Sequence, residues 1–152
     1  MAMENSEFGS INQTSRQEST GWMINIVAAW IDKQVDLGLN PIGLSKGEFA
    51  ILMCLLEKDG LTQVEIGKNI AMPGYATTRN IDKLEILNLL KRHPHESSRR
   101  SHRIHLTPQG TKLGPGLISI AENINKNILG ALDENDRETF CRLLSQVVKR
   151  VT

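Results

Sequence analysis

Two Ser/Thr-x-x-Glu boxes, Ser45-Lys46-Gly47-Glu48 and Thr62-Gln63-Val64-Glu65, stand 17 positions apart with Asp59-Gly60 between them. They constrain the middle of this chain more than any other feature. In such a box the hydroxyl accepts from the N3 main-chain N–H, and the glutamate reaches back to the cap's own N–H, so each box marks a helix start. The first predicts a helix through Phe49, Leu52, Met53, Leu55 and Leu56, stopped at Asp59-Gly60. The second opens a short helix to about Ile70. Two capped helices with so few residues between them form a tight antiparallel or crossed pair.

Met72-Pro73-Gly74 reads as a turn, with Pro73 near the start of the next helix, where its missing N–H is harmless. That helix is predicted over about Tyr75 to Leu87. Thr77, Ile81, Leu84 and one of Ile86 or Leu87 point inward, and Tyr75, Thr78, Arg79, Asp82 and Lys83 point outward. Leu89 to His93 and Arg103 to Leu106 then alternate as strands do, giving a β-hairpin with a polar tip. Between Lys91 and Arg103, five Lys/Arg against the single acid Glu96 leave an excess of four positive charges.

The flanks are helical. Trp22, Ile26 and Trp30, with Val27, Ile31 and Val35, mark a helix over about 18–39 that Gly38 and Pro41 end. Thr107 as cap and Pro108 at N1 open a long helix through Leu113, Leu117, Ile120, Ile124 and Ile128. Pro115, inside it, is expected to kink the helix or break off its first two turns. Asp133 caps a last helix with the stripe Phe140, Leu143, Leu144, Val147, Val148 and Val151. One chain would struggle to cover that stripe alone. The alternative is internal packing on the first helix.

A short capped helix, a turn, a polar-faced helix and a basic hairpin make the plan of a winged helix-turn-helix. The second helix of such a pair can lie in a major groove with its outward side chains at the base edges. The hairpin, or wing, can reach phosphates or the minor groove, where positive charge is favoured. Tyr75, Thr78 and Arg79 are the expected base readers, with Arg79 suited to a bidentate pair with guanine, and Lys83 lies on the same polar face. Thr62 and Gln63, at a helix start, are expected on phosphate. Arg99 and Arg100 are expected on the minor groove, and His102 on phosphate.

The stretch Leu44 to Gly110 resembles the core of the MarR family of bacterial transcription regulators. The resemblance rests on Leu61-Thr62-Gln63-Val64-Glu65-Ile66, Ala76-Thr77-Thr78-Arg79-Asn80-Ile81-Asp82-Lys83-Leu84-Glu85 and Leu89-Leu90-Lys91-Arg92. The wing Ser98-Arg99-Arg100-Ser101 and the run Ile104-His105-Leu106-Thr107-Pro108-Gln109-Gly110 complete it. Two departures stand out. Ser98 replaces an aspartate expected to brace the wing arginines, leaving the wing looser or braced by Glu96. Asn88 replaces a common glycine, a mild change, since Asn adopts the left-handed conformation.

The resemblance implies a ligand-responsive homodimeric repressor on a pseudo-palindromic double-stranded DNA operator. The fold expected is mainly α with a small β-hairpin wing, the N- and C-terminal helices forming a dimer base. The expected layout is a leader over 1–17, a dimerisation helix over 18–42, the DNA-binding lobe over 43–107 and C-terminal dimerisation helices over 108–152. Trp30 and Met53 are candidates to line a pocket for a small aromatic effector, against a plainer role in the dimer core.

Other classes fit less well. No Gly-rich phosphate loop, paired carboxylates or nucleophile with a recognisable base occurs, so no enzyme activity and no cofactor are expected. The polar start of the chain lacks the basic and apolar regions of a signal peptide, and no apolar run approaches the roughly 20 residues of a membrane span. A cytoplasmic protein is expected. Cys54 and Cys141 both fall in apolar helical patterns and read as buried, reduced thiols. If His95 paired with His102, then His93, His95 and His102 would share one face. With no Cys or Asp beside them, phosphate contact is preferred to a metal. The rival readings are a winged-helix module that binds protein and not DNA, and a redox or metal sensor on the same fold.

Overall fold

The structure is a computed structural model that describes residues 18–95 and 98–151; the side chains of residues 95–100 are not described. The expected leader over 1–17 and the bracing of the wing by Glu96 lie outside the described residues. The chain divides into two compact units, residues 1–34 and 35–152, and the boundary falls within helix α1 (Thr20–Leu39). In the first unit α1 is exposed from Thr20 to Trp30, including Trp22, Ile26 and Val27, while Ile31 and Gln34 are half-buried.

The second unit opens with the last turn of α1. Gly38 was expected to end this helix, but it lies inside it. A Cβ there would come within 2.9 Å of Ile120 Cγ2, so the missing side chain serves close packing on a later helix. The stop comes from the 3₁₀ turn Asn40–Ile42, which contains Pro41, and from Gly43, whose φ of 69° suits a residue without Cβ.

Helix α2 (Lys46–Glu57) begins as its box predicts. Ser45 Oγ accepts from Glu48 N–H at 3.3 Å, and Glu48 Oε2 accepts from Ser45 N–H at 2.9 Å. It is the central helix, with Ile51, Leu52 and Leu55 fully buried. Strand β1 (Leu61–Thr62) is two residues long and hands Thr62 to α3 (Gln63–Asn69) as its cap. The turn that follows places Ala71 at a φ of 51°, and α4 (Gly74–Ile86) starts after Pro73. Thr77, Ile81 and Leu84 are buried as expected, joined by Asn80, while Ile86 and Leu87 are both exposed. Asn88, at a φ of 55°, closes α4, and Leu89 N–H returns to Leu84 O at 2.9 Å.

The wing is β2 (Leu90–His95) and β3 (Ser98–Leu106), and β1 adds to its edge, giving the order β1-β3-β2. The third strand was not expected. The register pairs Leu90 with Leu106, Arg92 with Ile104 and Pro94 with His102, with an irregularity before His95. His95 therefore does not face His102, and the single-face histidine cluster loses its premise. Leu90 and Ile104 point into the core.

Helix α5 (Pro108–Leu129) is capped by Thr107 Oγ1, which accepts from Gly110 N–H at 3.0 Å. It runs as one helix through Pro115, so the break offered as one of the two expected outcomes does not occur. An interior proline removes one helical hydrogen bond, and packing can outweigh that loss. Here the neighbouring Gly114 is buried against Leu56, where a Cβ would come within 2.9 Å of Cδ2. Helix α6 (Glu134–Val151) keeps its whole stripe exposed, from Phe140 to Val151. Cys54 is buried, within 3.7 Å of Asn69 Nδ2, but Cys141 on α6 is exposed, against the expectation for both thiols. Among the described residues, no single helix is long and apolar enough to cross a membrane.

Candidate nucleic-acid interface

Helix α4 advances about 100° per residue, so burial of Thr77, Asn80, Ile81 and Leu84 turns Tyr75, Arg79, Asp82 and Ile86 outward in one line. Tyr75 is 79% and Ile86 83% exposed, which sets this line on the open surface of the lobe. Thr78 and Glu85 flank the line on the wing side; Lys83 flanks it on the other.

The wing-side flank is built by hydrogen bonds. Gln63 Nε2, in the first turn of α3, donates to Thr78 Oγ1, and Thr78 Oγ1 donates to Gly74 O at 2.9 Å. The two helices of the pair are thus linked at their starts. Further along, Arg92 on β2 reaches across to α4. Its main-chain N–H donates to Glu85 Oε1 at 3.1 Å, Nη1 bonds Glu85 Oε2, and Nη2 bonds Asp82 Oδ1 at 2.5 Å. Burial works against the Arg92 cation, but the hydrogen bonds to Asp82 and Glu85 outweigh it and raise its pKa.

Between these links lies a cleft of about 370 Å³ lined by Thr62, Gln63, Val64, Arg92, Ser101, His102 and Ile104. Three expected contact residues, Thr62, Gln63 and His102, therefore meet in one place, with Thr78 attached through Gln63. Tyr75 and Arg79 stand on the adjoining open face of α4. Arg99 and Arg100 belong to β3, but their side chains lie outside the described residues.

Two expected residues have other partners. The Thr62 hydroxyl donates to Glu65 Oε2 at 2.8 Å and accepts from Glu65 N–H at 3.3 Å. Thr62 N–H donates to the same carboxylate at 2.7 Å. That main-chain bond, then the hydroxyl bond, hold the Glu65 carboxyl below its ordinary pKa. Lys83 Nζ lies 3.7 Å from Oε1 of the buried Glu48, so it ties α4 to the start of α2 on the side away from the wing.

Sequence reasoning missed the outer face of the sheet. Arg103 Nη1 donates to Gly60 O at 2.7 Å. Asp59 Oδ2 lies 2.8 Å from His105 Nδ1, and Asp59 Oδ1 accepts from Leu106 N–H at 2.9 Å. The rings of His93 and His105 meet edge to face, 5.2 Å apart. This network fixes the turn after α2 to β3, so Arg103 and His105 have structural work. Arg92 was also missed, though its signal was present: Asp82 and Glu85 are three apart on one helix, and a cation on the core side of a strand needs a carboxylate. Among the described residues, no group of three or more His, Cys, Asp or Glu could hold a metal ion. Trp30 belongs to the first unit, where it is 37% exposed, and Met53 is half-buried against the core of the second.

The sequence profile of the MarR family matches residues 44–102, which contain the paired helices and most of the wing. An HTH-type transcriptional repressor of Mycobacterium tuberculosis is 26% identical over 127 residues, covering 84% of this chain and 91% of the relative. An uncharacterized HTH-type transcriptional regulator of Bacillus subtilis is 23% identical over 128 residues, covering 84% of this chain and 85% of the relative. Among solved structures, a MarR transcriptional regulator from Methanosarcina mazei superposes with a TM-score of 0.80 at 26% identity, over 86% of this chain and 94% of that one.

Proposed function

We propose that this chain, whose residues 44–102 match the MarR family profile, is a MarR-type transcriptional regulator, a homodimeric repressor binding a pseudo-palindromic DNA operator. The observation that carries this reading is the junction of both halves of a DNA grip. The open face of α4 carries Tyr75 and Arg79, and the wing is clamped to that same helix by Arg92. Tyr75, Thr78 and Arg79 meet base edges in the major groove, and His102 and Thr62, beside Gln63, border the phosphates from the cleft. Arg99 and Arg100 follow the minor groove.

The exposed stripe of α6 supports a second copy as partner. Phe140, Leu143, Leu144, Val147 and Val148 are each at least 40% exposed in the single chain, a contiguous apolar surface that a lone soluble domain rarely leaves open. In this reading the helices over 18–42 and 108–152 form the dimer base, and the lobe over 43–107 holds the DNA. A small aromatic effector shifts the population between two dimer states and so lowers operator affinity. The protein works in the cytoplasm, on double-stranded DNA, as a binder and not a catalyst.

Incubating purified protein with fragmented genomic DNA and sequencing what it retains tests the reading. Enrichment of one pseudo-palindromic sequence is expected, with affinity falling steeply as salt rises, because phosphate contacts release counterions. No retention of any duplex at low salt would overturn it.

A further inference from the structure

We infer that Gln63 and Thr78 form one preassembled reader of an A·T base pair, Thr78 presenting its methyl group to thymine and Gln63 its amide edge to adenine. This rests on the DNA-binding reading above and goes beyond it, because neither residue then acts in the manner its type first suggests.

A threonine hydroxyl has one hydrogen to donate. Gly74 O can only accept, so the 2.9 Å bond to it engages that hydrogen. The oxygen of Thr78 must then receive from Gln63, which fixes the amide with its nitrogen toward Thr78. Reading a base acceptor through the hydroxyl would break the bond to Gly74. The branch of Thr78 left for an outside partner is its Cγ2 methyl, on a half-exposed side chain beside the open line of Tyr75 and Arg79. The thymine C5 methyl is the apolar feature of the major groove and the natural counterpart.

Gln63 keeps its carbonyl oxygen and a second N–H. That acceptor–donor couple matches the N6 amino group and N7 of adenine. Its neighbour Thr62 is engaged with Glu65, which fixes the first turn of α3 and holds the glutamine next to the threonine. Adenine and thymine of one pair present their edges side by side, and the bond between Gln63 and Thr78 keeps the two side chains adjacent in the same way.

The test begins with the operator recovered from genomic fragments. Each thymine in it is replaced in turn by deoxyuridine, which removes only the C5 methyl. The wild-type protein is expected to lose about four-fold in affinity at one thymine per half-site, the worth of one buried methyl group. Thr78→Ser keeps the hydroxyl and its bonds but lacks the methyl, and is expected to bind thymine and uracil equally at that position. Thr78→Val keeps the methyl and is expected to keep the preference. Gln63→Ala is expected to relax the choice of base at the same pair. An unchanged uracil penalty in Thr78→Ser, or a preference lost in Thr78→Val and kept in Thr78→Ser, would overturn the inference while leaving DNA binding intact. Failure to recover any operator would remove both readings together.

Discussion

Arg92 and Glu85 meet twice, once through the main-chain N–H of the strand residue and once through its guanidinium, while the second guanidinium arm holds Asp82. The wing is therefore registered on α4 by a fork between two carboxylates. Arg92→Ala is expected to lower stability by about 1–2 kcal/mol, a partly exposed network discounted for screening. It should also weaken operator binding, because wing and helix no longer share one orientation. Arg92→Lys keeps the charge without the fork and should recover less than half of either loss. Urea unfolding and gel shifts on the same variants check this. An Arg92→Ala protein with unchanged affinity would refute the coupling.

Lys83 and Arg79 are four residues apart on α4 and should behave in opposite ways. Lys83→Met removes the cation facing buried Glu48 and is expected to lose about 0.5–1 kcal/mol of stability, with the salt dependence of DNA binding unchanged. Arg79→Ala should change stability by less than about 0.5 kcal/mol. It should also lose about 1–3 kcal/mol of discrimination at one base pair. Equal losses on every DNA sequence from Arg79→Ala would argue against base reading.

The two capping boxes, the Thr107-Pro108 helix start and the apolar stripes were legible because each depends on residues within one or two turns of each other. The unexpected features depend on distant partners. Gly38 reads as a helix stop until Ile120 is seen against it. Pro115 reads as a kink or a break, but α5 continues through it as one helix. Strand β1 is too short for alternation to declare it, and it exists because β3 offers Ile104 and Arg103 as partners. Ile86 has the type of a buried residue, yet its angular position puts it outside. At the interface, residue types and exposed face were legible, but the engagement of Thr62 with Glu65, Thr78 with Gln63 and Lys83 with Glu48 was not. Each is a choice of partner that spacing alone leaves open.

Ala71 and Asn88 both have positive φ, 51° and 55°, but differ in how well their side chains tolerate it. A left-handed conformation strains alanine more than asparagine. Ala71→Gly is therefore expected to stabilise the protein by about 0.5–1 kcal/mol, and Asn88→Gly to change it by a few tenths at most. Denaturant midpoints at constant slope measure both. A destabilised Ala71→Gly would mean that chain entropy outweighs the strain there.

The cap of α3 should depend on pH. The Thr62 N–H and hydroxyl favour the charged Glu65, so its carboxyl titrates below the ordinary glutamate value in the fold. As pH falls, the unfolded chain takes up this proton first. The stabilisation is complete above the ordinary value and is lost as pH drops through the lowered one. A carboxyl NMR titration should show Glu65 below other exposed glutamates, and Thr62→Val should return it toward them. A Glu65 that titrates at or above the ordinary value would contradict the cap.

Gly110 packs against the main chain just past α4 so closely that a Cβ would come within 2.0 Å of Leu89 O. The same carbonyl accepts from Thr107 N–H at 3.1 Å, and Asn88 O accepts from the Thr107 hydroxyl at 2.6 Å. The joint between the long C-terminal helix and the reading helix therefore has no slack. A tilt of α5 is carried directly into α4 through these contacts rather than absorbed between them.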